Sequence, residues 1–170
     1  MVDFDEFLRY FERVRQRTRR VAALIPSDCL EWTYKPGAFT LGDLVRHIAV
    51  AERFIWAETV LNRRTLNVTH GRELADGRGA VLALLDRLHD ESMAIFRSLT
   101  PEVLTGKVPT PEGTMVTTWK WLRMMVEHEA HHRGQLYTML GMIDVPTPPL
   151  YGMTSGQVAA RAHTEPGTGT

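Results

Sequence analysis

Apolar residues recur every three or four positions along four long stretches of the chain. This spacing places the apolar side chains on one face and predicts four amphipathic helices. The helices are expected over about residues 4–24, 41–61, 80–99 and 118–140. No stretch alternates apolar and polar residues convincingly, so we expect an all-α chain that folds as a four-helix bundle with irregular loops.

Capping residues and helix breakers mark the ends of these helices. Thr40 and Asp43 form a capping pair before the second helix, and Gly141 is a plausible cap after the fourth. Residues 106–115 contain two prolines and two glycines, which predicts an irregular crossing or a small hairpin.

The composition after the fourth helix divides the chain into two parts. Residues 1–153 are predicted to form the bundle, and residues 154–170, rich in Thr, Gly, Ala and Pro, a loosely attached, flexible C-terminal tail.

Composition and charge narrow the environment but not the function. The chain has 170 residues, 20 Lys plus Arg and 20 Asp plus Glu, so no net charge attracts nucleic acid or a membrane surface. The single cysteine, Cys29, excludes an internal disulfide and fits a reducing cytosol. No leader or membrane-spanning run is evident, and we expect a cytoplasmic protein. The arginines of the first helix are expected to face solvent: Arg9, Arg13, Arg15, Arg17, Arg19 and Arg20.

One histidine interrupts the apolar stripe of the second helix. His47 continues the stripe formed by Leu44, Ala51 and Phe54, where an apolar residue would normally stand. The opposite face of that helix is expected to be the solvent-facing one and carries Arg46, Val50, Arg53 and Ala57.

Two further histidines lie on the inner face of the fourth helix. His128 and His132 are four positions apart and project from nearly the same side, whereas His131 is rotated towards solvent. A buried imidazole without a partner is costly, and one divalent ion would satisfy His47, His128 and His132 together. Three nitrogen ligands leave a position open, which is typical of a catalytic site. The ligand set suits Zn²⁺, Ni²⁺, Cu²⁺ or Fe²⁺.

Two carboxylates near these histidines are candidates for supporting contacts or proton transfer. Asp43 precedes His47 by four residues, and Glu129 follows His128 directly. The alternatives are a helix cap for Asp43 and a surface acid for Glu129.

The stretch from His128 to His132 also matches the H-E-x-x-H pattern of zinc peptidases. The metzincin continuation fails, since Thr138 stands where the third histidine should be. The only glutamate after His132 is Glu165, in the predicted tail. The pattern is therefore attributed to two helical metal ligands and not to a peptidase.

The two histidine segments, TLGDLVRHIAVAERF and HEAHHRGQLYTMLG, together resemble the DinB-like superfamily of metal-binding four-helix bundles, which includes the YfiT-type proteins. The closing Pro149-Leu150-Tyr151-Gly152 also fits. The resemblance implies an up-up-down-down bundle, usually a homodimer, with the metal held by His47, His128 and His132.

The resemblance also suggests a reaction. Characterised relatives include transferases and isomerases that use a low-molecular-weight thiol such as bacillithiol or mycothiol. We therefore expect a thiol-dependent S-transferase that acts on a small electrophile. The alternatives are a hydrolase that uses metal-activated water, with Glu129 or Asp43 as base, and a non-catalytic metal-binding stress protein.

Overall fold

Four helical rods pack side by side in the computed structural model, which describes residues 3–66, 68–149 and 152–164. A π-helical turn, Glu52–Trp56, joins the helices Leu41–Ala51 and Ala57–Thr59, so the second rod is continuous from residue 41 to residue 59. The elements are α1 (Phe4–Ala22), α2 (Leu41–Ala51), α3 (Ala57–Thr59), α4 (Arg78–Arg97), α5 (Pro101–Thr105), α6 (Thr118–Met142), α7 (Ser155–Thr164), β1 (Lys107–Pro109) and β2 (Met115–Thr117).

For each pair of rods, side-chain contacts at two heights along the bundle show whether the rods run parallel or antiparallel. Arg97 forms a salt bridge with Glu12 at 3.0 Å and Arg19 forms one with Asp86 at 2.7 Å, so α1 and α4 are antiparallel. The rings of Phe7 and Trp119 are 4.9 Å apart and Thr18 bonds to Glu129 at 2.5 Å, so α1 and α6 are parallel. The second rod is antiparallel to α6, because His47 meets His128 while Thr59 meets Trp121.

These directions confirm the four-helix bundle and give it an up-down-down-up order. That order differs from the up-up-down-down order that the resemblance implied. The second rod and the third rod, α4, run in the same direction. The chain must therefore return along the length of the bundle between them, which needs a long connection. Residues 60–77 form this connection. Nε of Arg46, near the start of α2, donates a hydrogen bond of 2.9 Å to the carbonyl of Ala75, near the end of the connection.

Two hydrophobic clusters fill the bundle, one towards each end. The first includes Val21, Leu44, Leu85 and Leu136, and the second Phe11, Trp56, Phe96 and Trp121. The rods carry a layer of buried polar side chains between the two clusters: Arg15, Thr18, Glu52, His89, Glu129, His132 and Arg133. A layer of buried charges is stable only when its members pair with one another, and that requirement explains why Arg15, predicted to face solvent, is buried.

Two predicted solvent-facing groups are in fact buried. Arg15 is 3% exposed because its guanidinium pairs with Glu52 and Glu129 in the polar layer. The face of the second rod that carries Arg46, Val50 and Ala57 is also buried, because the connection of residues 60–77 and α4 cover it. The prediction was wrong because this rod is buried all round, whereas a single apolar stripe implies burial on one face only.

The helix ends differ in detail from the expected ones. Gly141 lies inside α6, and Asp144, with φ 56°, adopts the left-handed conformation that usually ends a helix. The small hairpin is confirmed, with Lys107 opposite Thr117 and Pro109 opposite Met115. The sequence did not predict α5, which Thr100 caps, or α7, which lies in the expected tail.

The described side chains of α7 are exposed. Leu150 and Tyr151 of the closing motif, and Glu165, lie outside the described residues. No helix in the described ranges has the length and hydropathy needed to cross a membrane.

Candidate metal centre

A capping box fixes where α2 begins and therefore where its histidine points. The hydroxyl of Thr40 accepts a hydrogen bond from the Asp43 amide at 2.9 Å, and the Asp43 carboxylate accepts one from the Thr40 amide at 3.1 Å. With the start of the helix fixed, His47 comes about two turns later on the side that faces α6.

The three predicted ligands meet between α2 and α6. The Nε2 atom of His128 lies 3.0 Å from that of His47 and 3.1 Å from that of His132. The ligand atoms of all three lie within 4.8 Å of one another. Two nitrogens bound to one ion at its usual bond lengths and angles would be about 2.9–3.4 Å apart. The donor set therefore fits a divalent ion, and the cluster can hold one through three imidazoles.

Gln135 fixes the orientation of the third histidine. Nδ1 of His132 lies 2.7 Å from Oε1 of Gln135, one turn further along α6. An amide oxygen accepts but cannot donate, so the proton of the His132 ring stands on Nδ1. Nε2 of His132 is then a free lone pair directed at His128, as a metal ligand requires.

Burial keeps the imidazoles neutral. It lowers the pKa of His47 to about 4, with further contributions from His132 and His70. It lowers the pKa of His128 to about 3, and the nearby rings of His132 and His47 add to the effect. The pKa of His132 is also lowered by burial, although the bond to Gln135 opposes this shift. At neutral pH all three rings therefore offer lone pairs.

Aromatic rings enclose the cluster on two sides. The ring of Phe39 lies 5.2 Å from that of His47, and the ring of Trp56 lies 4.8 Å from that of His128. Trp56 reaches this position because the π-helical turn adds one residue and rotates the rest of the rod by about 100°. A regular helical period would point Trp56 away from the histidines, so periodicity along the chain could not indicate its place in the site.

A fourth histidine stands at the edge of the site. The ring of His70, on the connection of residues 60–77, lies 5.9 Å from that of His47 and 4.7 Å from that of Phe39. It is exposed and belongs to no helix, so no periodic pattern could have indicated it. His131 is exposed, as predicted.

The two candidate carboxylates are engaged elsewhere. Asp43 serves in the capping box and also accepts a bond from Arg46 at 3.2 Å. Glu129 is 2% exposed, accepts a bond from Thr18 at 2.5 Å and pairs with Arg15 at 3.1 Å. Glu129 is thus a buried acid and not a surface one. A role in proton transfer stays a prediction for both residues.

A groove of about 700 Å³ opens beside the histidines. Phe39 and Gln135 line it and also contact the cluster, while Leu44 and Met139 contribute apolar surface. The groove is large enough for a small organic molecule next to the three imidazoles.

Comparison with known proteins identifies the family. The sequence profile of the DinB superfamily matches residues 10–136. The uncharacterized protein YjoA of Bacillus subtilis (strain 168) is 26% identical over 141 residues, which are 81% of this chain and 88% of that protein.

Two solved structures share the fold at lower identity. YfiT from Bacillus subtilis, described as a probable metal-dependent hydrolase with an unusual four-helix bundle topology, matches with a TM-score of 0.68 and 18% identity, over 84% of this chain and 89% of that one. A mycothiol-dependent maleylpyruvate isomerase matches with a TM-score of 0.63 and 16% identity, over 79% of this chain and 61% of that one. With a family match that covers most of its length, the chain belongs to the DinB superfamily.

Proposed function

We propose that this chain is a divalent-metal-dependent enzyme that transfers a low-molecular-weight thiol to a small electrophile. The three-histidine cluster is the observation that carries the proposal. Its Nε2 atoms converge, and among the described residues no carboxylate or cysteine joins them. A divalent ion (Zn²⁺, Ni²⁺ or Fe²⁺) bound by these nitrogens would lower the pKa of a thiol and stabilise its thiolate.

The nucleophile has to come from outside the chain. Cys29 packs against the hydrophobic cluster of Leu44 and Leu85 and does not line the groove. Partial desolvation and the neighbouring Asp28 also raise the pKa of the Cys29 thiol, which makes it a poorer nucleophile. An external thiol such as bacillithiol or mycothiol supplies a thiol group that the chain itself does not place at the site.

The chain's own residues position the reactants. Gln135 holds the His132 ring, while Trp56 and Phe39 limit the access of water to the cluster. The groove then holds the electrophile beside the sulfur. In a transfer to a halogenated carbon, the sulfur–carbon bond forms, the halide leaves with the bonding electrons, and the thiol proton passes to solvent. Holding both reactants in one site lowers the entropic barrier to this step.

Relatives of the same fold support two reaction classes by analogy alone. The similar isomerase is described as mycothiol-dependent, which favours a thiol reaction. YfiT is described as a probable metal-dependent hydrolase, which favours activated water as the second candidate. A hydrolase gains most from a free carboxylate base, whereas Glu129 and Asp43 are already bonded to Arg15 and Arg46. We propose that these two carboxylates support the helices that carry the histidines.

Metal analysis and a conjugation assay test the proposal. Protein purified without a chelating tag should contain close to one divalent ion per chain. It should conjugate bacillithiol or mycothiol to a chlorinated aromatic compound or an epoxide, and His128→Ala should lose both metal and activity. Lys107→Gln, a change in the distant hairpin, should alter neither.

Two other outcomes would overturn the thiol reaction. Hydrolysis of esters by the metal-loaded protein without any thiol, together with no conjugation, would establish the second candidate. Bound metal with neither activity would establish a non-catalytic metal-binding protein.

A further inference from the structure

The groove beside the histidines has a cation at its rim, and the described residues of its wall include no acid. We propose that it binds the carboxylate group of a small organic ligand, with Lys35 as the ionic partner. This inference rests on the proposed function for the reaction that the ligand undergoes. Its binding, however, can be measured without turnover.

The wall of the groove sets the sign of the ligand's charge. None of the described residues that line it is an aspartate or glutamate, and Lys35 is its only permanently charged side chain. A pocket that carries one uncompensated cation attracts an anion and disfavours a cation.

The Lys35 ammonium is available to a ligand. It lies 5.6 Å from the centre of the Tyr34 ring, which is 53% exposed. Within residues 3–66, 68–149 and 152–164, no carboxylate forms a salt bridge with Lys35. A ligand carboxylate therefore meets a cation that no acid in the described part of the chain neutralises.

The backbone holds this lysine at the rim. The hydroxyl of Thr33 donates to the carbonyl of Lys35 at 3.1 Å and lies 3.4 Å from that of Ala38. Gly37 turns the loop with a φ of 79°, a conformation that few other residues adopt. The loop is thus closed on itself, which fixes the backbone from which Lys35 projects before a ligand arrives.

The inner end of the groove offers a second polar contact. Oε1 of Gln135 is committed to Nδ1 of His132, so the Gln135 amide nitrogen remains as the group that can donate to a ligand. The lining also includes the apolar side chains of Phe39, Leu44 and Met139 and the polar side chains of His131 and Thr138. Since Gln135 contacts His132, this lining fits a ligand that pairs its carboxylate with Lys35 and also has an apolar or uncharged part and a reactive atom near the histidines.

Matched pairs of ligands that differ only in charge test the inference. N-acetylcysteine and its primary amide form one pair, and N-acetylalanine and its primary amide form a pair without sulfur. Calorimetric titration of the metal-loaded protein should show tighter binding of each acid than of its amide. At low ionic strength the preference should be about two- to fivefold, the range of an exposed ion pair, and it should shrink with added salt.

Variants assign the preference to a residue. Lys35→Gln should bind each acid and its amide equally while keeping its metal, and Lys107→Gln should keep the preference. The metal-poor His128→Ala protein should retain a preference that depends on Lys35, which separates the lysine from the metal as the anion's partner. Equal binding of acid and amide to the unmodified protein, or a preference that survives in Lys35→Gln, would overturn the inference. A Lys35-dependent preference without any conjugation would leave it standing and reject only the transferase reaction.

Discussion

Nδ1 of His132 lies 2.7 Å from Oε1 of Gln135, and this single hydrogen bond determines which nitrogen of the ring can bind a metal. The proton is held on Nδ1, so Nε2 faces the other two histidines as an unprotonated donor. Without Gln135 the ring could rotate, or place its proton on Nε2 for part of the time. The residue three positions after the last ligand therefore influences metal affinity without touching the metal.

Replacing Gln135 should weaken the metal site without destroying it. Gln135→Leu removes the acceptor for His132, and we expect metal affinity to fall by about 10- to 100-fold. Competition with a chromophoric chelator measures this change. Gln16→Leu, at an exposed position of α1, is the matched control and should leave affinity unchanged. Equal affinities in Gln135→Leu and the unmodified protein would show that His132 is oriented by packing alone.

The metal-free protein should lose stability as the pH falls below the ordinary histidine pKa of 6.5. In the folded chain the pKa of His47 is about 4 and that of His128 about 3. Between pH 6.5 and these values the unfolded chain binds more protons than the folded one, so acid favours unfolding. Stability from this source is complete above pH 6.5 and is lost as the pH falls towards the folded values.

Urea titrations of metal-free protein at several pH values measure this loss. His128→Gln has no imidazole to titrate at that position, so its stability should fall less steeply between pH 6.5 and 4. His131→Gln, at an exposed position, should follow the unmodified protein. Identical slopes in His128→Gln and the unmodified protein would contradict the low pKa of His128.

A methyl group at Gly42 should destabilise the fold. A Cβ atom there would lie 2.9 Å from Nη1 of Arg46 and 3.0 Å from the Leu30 carbonyl oxygen. Arg46 is fully buried and bonds to Ala75 and Glu31, so it cannot move aside freely. Gly42→Ala should cost about 1–3 kcal/mol of unfolding free energy, measured by urea denaturation.

Gly79 is the control position, where an added methyl group should not destabilise the fold. It lies in the first turn of α4, and nothing is within 4 Å of the position that its Cβ would take. Gly79→Ala should therefore be neutral or stabilising by up to about 1 kcal/mol, because alanine restricts the unfolded chain. A stabilising Gly42→Ala would show that Leu30 and Arg46 can shift.

The sequence could predict the bundle and the convergence of the three histidines, because both follow from helical periodicity. A spacing of four residues places His128 and His132 on one side of α6 whatever the rest of the chain does. The capping pair at Thr40 likewise fixed the start of α2 from local chemistry alone. These features depend on neighbours in the sequence, which is why they could be predicted.

The features that escaped prediction depend on contacts between distant segments. Arg15 looked like one more exposed arginine, and only Glu52 and Glu129 on other rods make its burial possible. Trp56 reaches His128 through a π-helical turn that no periodic pattern indicates. The side of the second rod that carries Arg46 is covered by a connection whose path depends on the directions of the rods.

Removing the cation from the buried polar layer should produce the largest loss of stability. The side chain of Arg15 is 4% exposed, and its Nη2 atom serves both Glu52 and Glu129, which are themselves buried. Arg15→Met leaves two carboxylates without that partner inside the bundle, and we expect it to cost about 3–5 kcal/mol of unfolding free energy. Arg9→Met, at a side chain that is 60% exposed, should change stability by less than about 0.5 kcal/mol.

Because the loss in Arg15→Met arises from unpaired charge, the triple variant that adds Glu52→Gln and Glu129→Gln to it should recover much of the lost stability. Urea denaturation of the four proteins gives these differences directly. If the triple variant is no more stable than Arg15→Met, the contribution of Arg15 lies in its packing and not in its charge.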